Sequence, residues 1–233
     1  MDLIPANVLY EDEDLIAVSK PAGLPSHGTH GAKSDHLVAA LERFLMARDS
    51  LREPPYLALH HRLDRDTSGV VLLAKTKRFN AAISDQFAGR EIGKLYSALT
   101  GPGPAPGETW SVENYLRSVK GKGRERRMEV VQSGGDFAHT DFRVRKTFPR
   151  GLWIEAIPHT GRTHQIRVHL AGSGLPILGE DLYGRPPRSP ARRLMLHAYE
   201  LAFRHPADGR ELRVRAPLAK DFRRAIDWLL KGR

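Results

Sequence analysis

Short apolar runs alternate along the chain with segments in which apolar residues recur every three or four positions. The apolar runs predict buried strands at residues 14–19, 56–60, 69–74, 92–100, 138–146 and 152–157. The helical spacing predicts helices at residues 37–45, 77–89, 163–171 and 220–231, with N-caps at Ser34-Asp35 and at Thr163. No internal repeat or domain boundary interrupts this pattern, so we predict one mixed α and β unit over residues 1–233.

A proline- and glycine-rich connector at residues 101–107 (GPGPAPG) opens a basic insertion that extends to about residue 135. Prolines lack the N–H donors that a phosphate-binding loop needs, so we do not expect nucleotide binding there. The insertion is polar and predicts a mobile hairpin or loop. Between residues 117 and 127 it carries six basic residues against one acid, Glu125: Arg117, Lys120, Lys122, Arg124, Arg126 and Arg127. A second basic stretch, residues 185–193, holds four arginines and no acid.

The excess of basic residues is a property of the whole chain as well as of these two stretches. Lysine and arginine number 37 against 27 aspartates and glutamates, a net charge of +10, which favours nucleic acid or an anionic membrane surface as partner. Neither basic stretch has the apolar stripe of a membrane-surface helix, and no apolar run approaches the ~20 residues that cross a bilayer. Without cysteine or a secretion signal, the chain is expected in the cytoplasm, with no disulfide and no thiolate metal site.

The densest polar stretch, residues 60–68 (HHRLDRDTS), lies between two predicted strands. Loops that join buried strands are where scaffolds display reactive groups. Asp64 has Arg62 and Arg65 as neighbours, so nearby positive charge should keep its carboxylate ionised. An aspartate that only caps a turn would give the same local pattern, and the residues alone leave both interpretations open.

Other readings of the polar residues are weaker. Residues 66–69 (DTSG) have the wrong order for an aspartic protease motif, and a second copy is missing. His60, His61, Asp64 and Asp66 could suggest a metal phosphohydrolase, but alternate residues of a strand and tight loop point to opposite faces, so few of them could converge. His159, His164 and His169 also look like ligands, but His164 and His169 are five apart, which leaves them about 140° apart around a helix. We therefore predict no metal site.

A second polar cluster occupies residues 158–169 (PHTGRTHQIRVH). Its apolar residues Ile166, Val168 and Leu170 can face the core, while His164 and Arg167 share a helical face. Arg167 could then pair with a carboxylate or grip a phosphate through its planar guanidinium. A surface arginine near a helix end remains the alternative.

Several motifs, in order along the chain, resemble those of RluA-type RNA pseudouridine synthases. Residues 61–70 (HRLDRDTSGV) resemble the catalytic motif of that family, and residues 161–170 (GRTHQIRVHL) its arginine motif. The similarity also includes residues 20–24 (KPAGL), 94–98 (KLYSA), 179–184 (GEDLYG) and 196–198 (LHA), and it runs from about residue 8 to 222.

The resemblance implies an α+β fold, with a single mixed, largely antiparallel β-sheet core flanked by helices and loops. It also implies an isomerase that converts specific uridines of structured tRNA or ribosomal RNA into pseudouridine, without cofactor or metal. Asp64 would be the catalytic carboxylate, with Arg167 paired to it and Tyr96 lying on the uracil. Arg62 would help to extrude the uridine, and the basic insertion would grip RNA phosphates.

Many family members carry an N-terminal RNA-binding S4 domain. Here the first catalytic-domain motif begins at Lys20, so we expect no S4 domain and a monomeric protein whose target choice lies in the catalytic domain. The alternative function is a catalytically inactive RNA-binding or RNA-chaperone protein. An intact set of Arg62, Asp64, Tyr96 and Arg167 favours the enzyme.

Overall fold

The computed structural model describes residues 3–28, 35–120 and 126–231. Within these ranges the chain forms eleven strands and four α-helices. It divides into two compact units: Met1–Gly93 with Ala198–Pro217, and Lys94–His197 with Leu218–Arg233. We call these the first and second units.

The first unit is built on antiparallel strands. Strands β1 (Val8–Glu11), β2 (Leu15–Lys20) and β4 (Ser68–Ala74) pair in that order, and the short β3 (Ala58–Leu59) also pairs with β4. Strand β10 (Leu196–Arg204), which belongs to this unit from Ala198 onward, lies beside β4 and pairs with β11 (Glu211–Arg215). The unit also contains helices α1 (Leu37–Asp49) and α2 (Asn80–Ala88).

Burial explains why β2 and β4 could be predicted as strands from the sequence. All seven residues of β4 are buried, as are five of the six in β2, so both strands are apolar runs rather than alternating ones. Leu15, Val70 and Leu72 form one core with Ile83 of α2 and with Leu201 and Val214 of the strands β10 and β11.

The second unit contains β5 (Gly93–Thr100), β6 (Thr109–Lys120), β7 (Arg126–Val131), β8 (Asp136–Phe148) and β9 (Gly151–Pro158). Their order is β5-β9-β8-β6-β7, with every pair antiparallel. Helices α3 (Gln165–Gly172) and α4 (Lys220–Leu230) contribute Ile166, Leu170, Phe222 and Leu229 to its main core.

The structure confirms the α+β class with largely antiparallel strands, and it corrects several local predictions. The insertion at 101–135 was predicted as a hairpin or a loop, and the structure shows the hairpin, formed by β6 and β7. Helix α1 is capped by His36, whose ring accepts the Ala39 N–H, rather than by Ser34-Asp35. Helix α3 begins at Gln165 with His164, not Thr163, as its N-cap. In the described part of the chain, no helix combines the length and apolar character needed to span a membrane.

Candidate active site

The loop that carries Asp64 connects β3 to β4 in the first unit. Asp64 is half-buried, whereas Arg62 and Arg65 are exposed. The backbone turns at Asp64, whose carbonyl accepts the Thr67 N–H at 3.1 Å. Asp64 therefore lies in a tight turn just before a fully buried strand.

The start of the loop is fixed by His61. Its Nε2 accepts the backbone N–H of Leu72 at 2.9 Å, and its ring stacks on Phe87 with 4.7 Å between centroids. His60 turns elsewhere, because its Nδ1 lies 2.9 Å from the Ser84 hydroxyl. The two histidines thus have separate partners within this unit.

Lys20 fixes the residue that follows Asp64. This lysine is fully buried at the end of β2, and its ammonium donates to the carbonyls of Pro21 (3.0 Å), Leu24 (2.7 Å) and Arg65 (3.0 Å). The Arg65 carbonyl also accepts the Gly23 N–H at 2.8 Å. A buried ammonium has three protons to place, and three carbonyls of this loop region receive them.

Ser26 fixes the residue that precedes Asp64. Its hydroxyl donates to the Leu63 carbonyl at 2.8 Å and accepts the Leu63 N–H at 3.0 Å, and both residues are buried. The backbone is therefore held on both sides of Asp64 by the segment that follows β2. The sequence did not predict this role for Lys20 or Ser26, although residues 20–24 were recognised as a motif.

Arg167 lies on α3 in the second unit and is buried, so the alternative of a surface arginine is wrong. Its guanidinium makes a bidentate pair with Glu180, at 2.9 Å from Nε to Oε2 and 2.6 Å from Nη2 to Oε1. Nη2 also donates to Asp181 at 3.0 Å, and the guanidinium lies 5.3 Å from the centre of the Tyr183 ring. Planar bidentate pairing fixes the orientation of an arginine as well as its position.

Glu180 is the acid that holds Arg167. Its side chain is fully buried, and Oε1 also accepts the backbone N–H groups of Asp181, Leu182 and Tyr183 at 2.9–3.3 Å. Burial alone would raise the pKa of this carboxyl, but the hydrogen bond and charge of Arg167, with the backbone donors, lower it below its ordinary value. The sequence analysis missed Glu180. The segment GEDLYG was recognised, but a single sequence does not say which acid meets which arginine.

The turn before α3 depends on a second buried network. His164 has a left-handed backbone (φ 55°), and its Nδ1 lies 2.8 Å from the Tyr183 hydroxyl. The buried Gln165 amide accepts from the Thr160 hydroxyl at 2.6 Å and donates to the Thr140 hydroxyl at 2.8 Å. These contacts anchor the first turn of the helix to β8, and they hold the helix that carries Arg167.

Tyr96 lies on β5, half-buried against the main core of the second unit, and it pairs with Ala156 of β9. Its position on a strand gives the ring a fixed direction. That the ring lies on a uracil stays a prediction, as does the pairing of Arg167 with Asp64.

The basic residues of the insertion lie on the β6–β7 hairpin. Arg117 and Lys120 are exposed on β6, and Arg127 is exposed on β7 with its guanidinium 5.8 Å from the Tyr183 ring centre. Arg126 begins β7 and pairs with Lys120 in the ladder. Lys122 and Arg124 lie outside the described residues. A hairpin with exposed cations is suited to contact phosphates.

Comparison with known proteins adds independent information. Residues 14–172 match a family described as RNA pseudouridylate synthase. The chain is 35% identical to the ribosomal large subunit pseudouridine synthase D of Xanthomonas campestris, over 97% of this chain and 70% of the relative. It is 32% identical to the ribosomal large subunit pseudouridine synthase C of Buchnera aphidicola, over 96% and 70%. A solved structure titled human RNA pseudouridylate synthase domain containing 4 covers 96% of this chain and 92% of its own, with TM-score 0.76 and 27% identity.

Proposed function

The chain belongs to the RNA pseudouridylate synthase family and is therefore an isomerase, and from this premise we propose that Asp64 is its catalytic carboxylate. The substrate would be a uridine in structured RNA, extruded from its stack into the site. The matched residues include the Asp64 loop, Tyr96 and Arg167 in the order along the chain that the resemblance predicts.

The isomerisation requires one well-placed carboxylate and few other reactive groups from the protein. The N1–C1′ glycosidic bond breaks, the uracil turns, and a C5–C1′ bond forms, while C5 loses its proton and N1 gains one. Product and substrate have the same atoms, so no redox partner or second substrate is consumed. An ionised aspartate can serve as nucleophile or base at the sugar–base junction.

The observation that carries the proposal is the way the Asp64 loop is held. Leu63 is fixed by Ser26, and Arg65 by Lys20 and Gly23, so the backbone on either side of Asp64 has little freedom. Preorganisation of this kind is expected of a catalytic group, because a displacement of about 1 Å can cost 100-fold in rate. An aspartate that merely caps a turn needs no such support from another segment.

The other residues take supporting roles in this proposal. Arg167, oriented by Glu180, pairs with Asp64 and keeps it charged. Tyr96 offers a π-face to the uracil and a phenol that helps to move the C5 proton. The exposed Arg62 helps to extrude the uridine, a step that costs a few kcal/mol and least where stacking is already poor.

The relatives suggest the substrate class. Two of them are named for the large ribosomal subunit, so we propose a uridine of large-subunit ribosomal RNA as the first target to test, with tRNA as the second. The hairpin residues Arg117, Lys120 and Arg127, with Lys122, Arg124 and Arg126, would contact phosphates and position the RNA without reading bases. We propose that the protein acts as a cytoplasmic monomer with one catalytic domain.

The test uses RNA labelled with tritium at uridine C5, because isomerisation releases that hydrogen to water. Asp64→Asn keeps the size of the side chain and removes its charge. We expect it to lower tritium release by at least about 10²–10⁴-fold, the scale of a lost catalytic acid or base. RNA affinity, measured by filter binding, should be unchanged.

Asp66→Asn is the matched control. Asp66 lies in the same loop and forms an ion pair with the exposed Arg65, so the variant loses the same charge two residues away. It should retain activity close to that of the original chain. Full activity in Asp64→Asn would remove the assignment, and RNA binding without tritium release by the original chain would favour the inactive RNA-binding alternative.

A further inference from the structure

Two histidines and an aspartate converge on one face of the sheet in the second unit. His159 Nε2 lies 2.6 Å from one Asp141 oxygen, and His139 Nε2 lies 3.2 Å from the other. The two imidazole rings stack with 4.2 Å between centroids. The three ligand atoms all lie within 4.8 Å of one another.

Strand register explains this convergence. His139 and Asp141 are two apart on β8 and therefore share a face, opposite to the buried Ala138, Thr140 and Phe142. His159 follows β9 directly, and its N–H bonds to the His139 carbonyl at 3.0 Å, which brings the two rings side by side. His159 is 18 residues beyond Asp141 along the chain, so helical or strand spacing in the sequence did not indicate that it joins the other two.

We propose that His139, Asp141 and His159 bind a divalent transition-metal ion of the Zn²⁺ class. Two imidazole nitrogens and one carboxylate oxygen are a donor set that such ions prefer. Ligand atoms at about 2.0–2.2 Å from a tetrahedral ion lie roughly 3.3–3.6 Å apart. The 2.6 Å and 3.2 Å separations therefore need only small side-chain rotations to admit the ion.

A fourth ligand for the ion is available on a neighbouring strand. Glu113, on the neighbouring strand β6, has its Oε1 3.6 Å from His139 Nε2, and its side chain is 59% exposed and able to rotate. The Ser111 hydroxyl also lies 2.9 Å from His139 Nε2. With water completing the shell, the ion links β8 to the residue after β9, and with Glu113 it links β6 as well.

The proposed ion has a structural role and takes no part in the uridine chemistry, so this site stands independently of the proposed function. The ligand side chains are between 24% and 45% exposed, so the ion can enter from solvent. Metal binding to the folded chain alone stabilises it by mass action. Because His159 begins the turn that leads to α3, the ion would also stiffen the approach to the arginine motif.

The test is a titration of the untagged, chelator-treated full chain with Zn²⁺, followed by calorimetry. We expect one ion per chain, a higher thermal midpoint with Zn²⁺, and visible absorption when Co²⁺ is used instead. In His139→Ala/His159→Ala the affinity should fall by more than the roughly 10–100-fold that loss of an outer-shell partner costs.

Two further variants separate the outcomes. Asp141→Asn preserves the shape of the cluster but removes the anionic ligand, so it should also lose the ion even if the double variant folds poorly. His27→Ala removes an exposed histidine outside the cluster and should bind Zn²⁺ as the original chain does. Absence of stoichiometric binding, or equal affinity in Asp141→Asn, would show that the cluster is only hydrogen-bonded.

Discussion

At the scale of single residues, Arg167 and Glu180 form a buried ion pair in the second unit. Both side chains are almost entirely buried, so each charge depends on the other and on the backbone donors around Glu180. Replacing one member of a buried pair leaves an uncompensated charge, which is more costly than losing an exposed pair.

Glu180→Gln should therefore lower the free energy of unfolding by about 3–5 kcal/mol. Asp181→Asn is the matched control, because Asp181 also bonds Arg167 but its side chain is 75% exposed, and its loss should cost no more than about 1 kcal/mol. Urea denaturation followed by circular dichroism measures both. Equal effects of the two variants would contradict the assignment of Glu180 as the residue that holds Arg167.

His169 provides a second residue-scale prediction, because it is buried between two polar partners. Its Nδ1 lies 3.0 Å from the Thr140 hydroxyl and its Nε2 lies 3.1 Å from Asn114 Oδ1. The Asn114 oxygen accepts from Nε2–H, so Nδ1 is the acceptor of a neutral ring. Burial, and next the charge of His139, lower the pKa of His169 to about 4.

The sign of the pH effect follows from this shift. Between about pH 4 and 6.5 the unfolded chain binds a proton at this histidine that the folded chain does not, so stability falls as pH falls through that window. The full effect is about 3 kcal/mol. His169→Gln should flatten the pH dependence of the unfolding free energy between these values, and an unchanged slope would contradict the account.

At the scale of elements, the sequence predicted the strands in which buried residues give a regular apolar pattern. Strands β2, β4, β5, β8 and β9 were predicted because their apolar residues are contiguous or alternate clearly. Strands β1, β10 and β11 were missed, since paired charges such as Arg213 and Glu200 interrupt the apolar pattern on their exposed face. For the same reason β6 and β7 were predicted only as a hairpin or loop in a polar insertion, without strand bounds.

The features of the candidate site also divide into those that the sequence predicted and those that it did not. The positions of Asp64 and Arg167 on their elements were predictable from local motifs. The supports from Lys20, Ser26 and Glu180 were not, because each is a pairing between segments that are separate in sequence. Only the folded backbone brings such partners together.

Gly69 is one position, at the element scale, where the backbone leaves no room for a side chain. It is the second residue of β4, with φ +123°, and a Cβ there would lie 2.1 Å from the Ala198 carbonyl oxygen on β10. Gly134 also has positive φ (+71°), but none of the described atoms lies within 4 Å of its Cβ position. The two glycines form a matched pair.

Gly134→Ala should cost only the left-handed backbone strain, about 1–2 kcal/mol. Gly69→Ala adds a steric clash with backbone that cannot move without breaking the β4–β10 contact, so its urea midpoint should fall much further. Similar midpoints for the two variants would show that the strands separate easily at this place.

At the scale of the whole molecule, the net charge of +10 favours RNA binding whose affinity depends on salt concentration. Each phosphate contact releases counterions, so the logarithm of affinity falls with the logarithm of salt concentration in proportion to the number of contacts. Exposed cations on the β6–β7 hairpin are the candidates for those contacts.

Neutralising Arg117, Lys120 and Arg127 to glutamine should weaken RNA binding and reduce the salt slope by about 2–3. A control triple at the exposed residues Arg204, Arg210 and Arg223 removes the same charge from other elements. Binding measured over a series of salt concentrations distinguishes a local contact from a general charge effect. If both triples change the slope equally, the hairpin is not the principal RNA contact.

The most direct test of the central claim is pseudouridine mapping in ribosomal and transfer RNA from cells that lack the gene. We predict that at least one pseudouridine disappears and returns when the original chain or Asp66→Asn is supplied, but not with Asp64→Asn expressed at the same level. Restoration of that pseudouridine by Asp64→Asn would contradict the assignment of this carboxylate to the isomerisation of uridine.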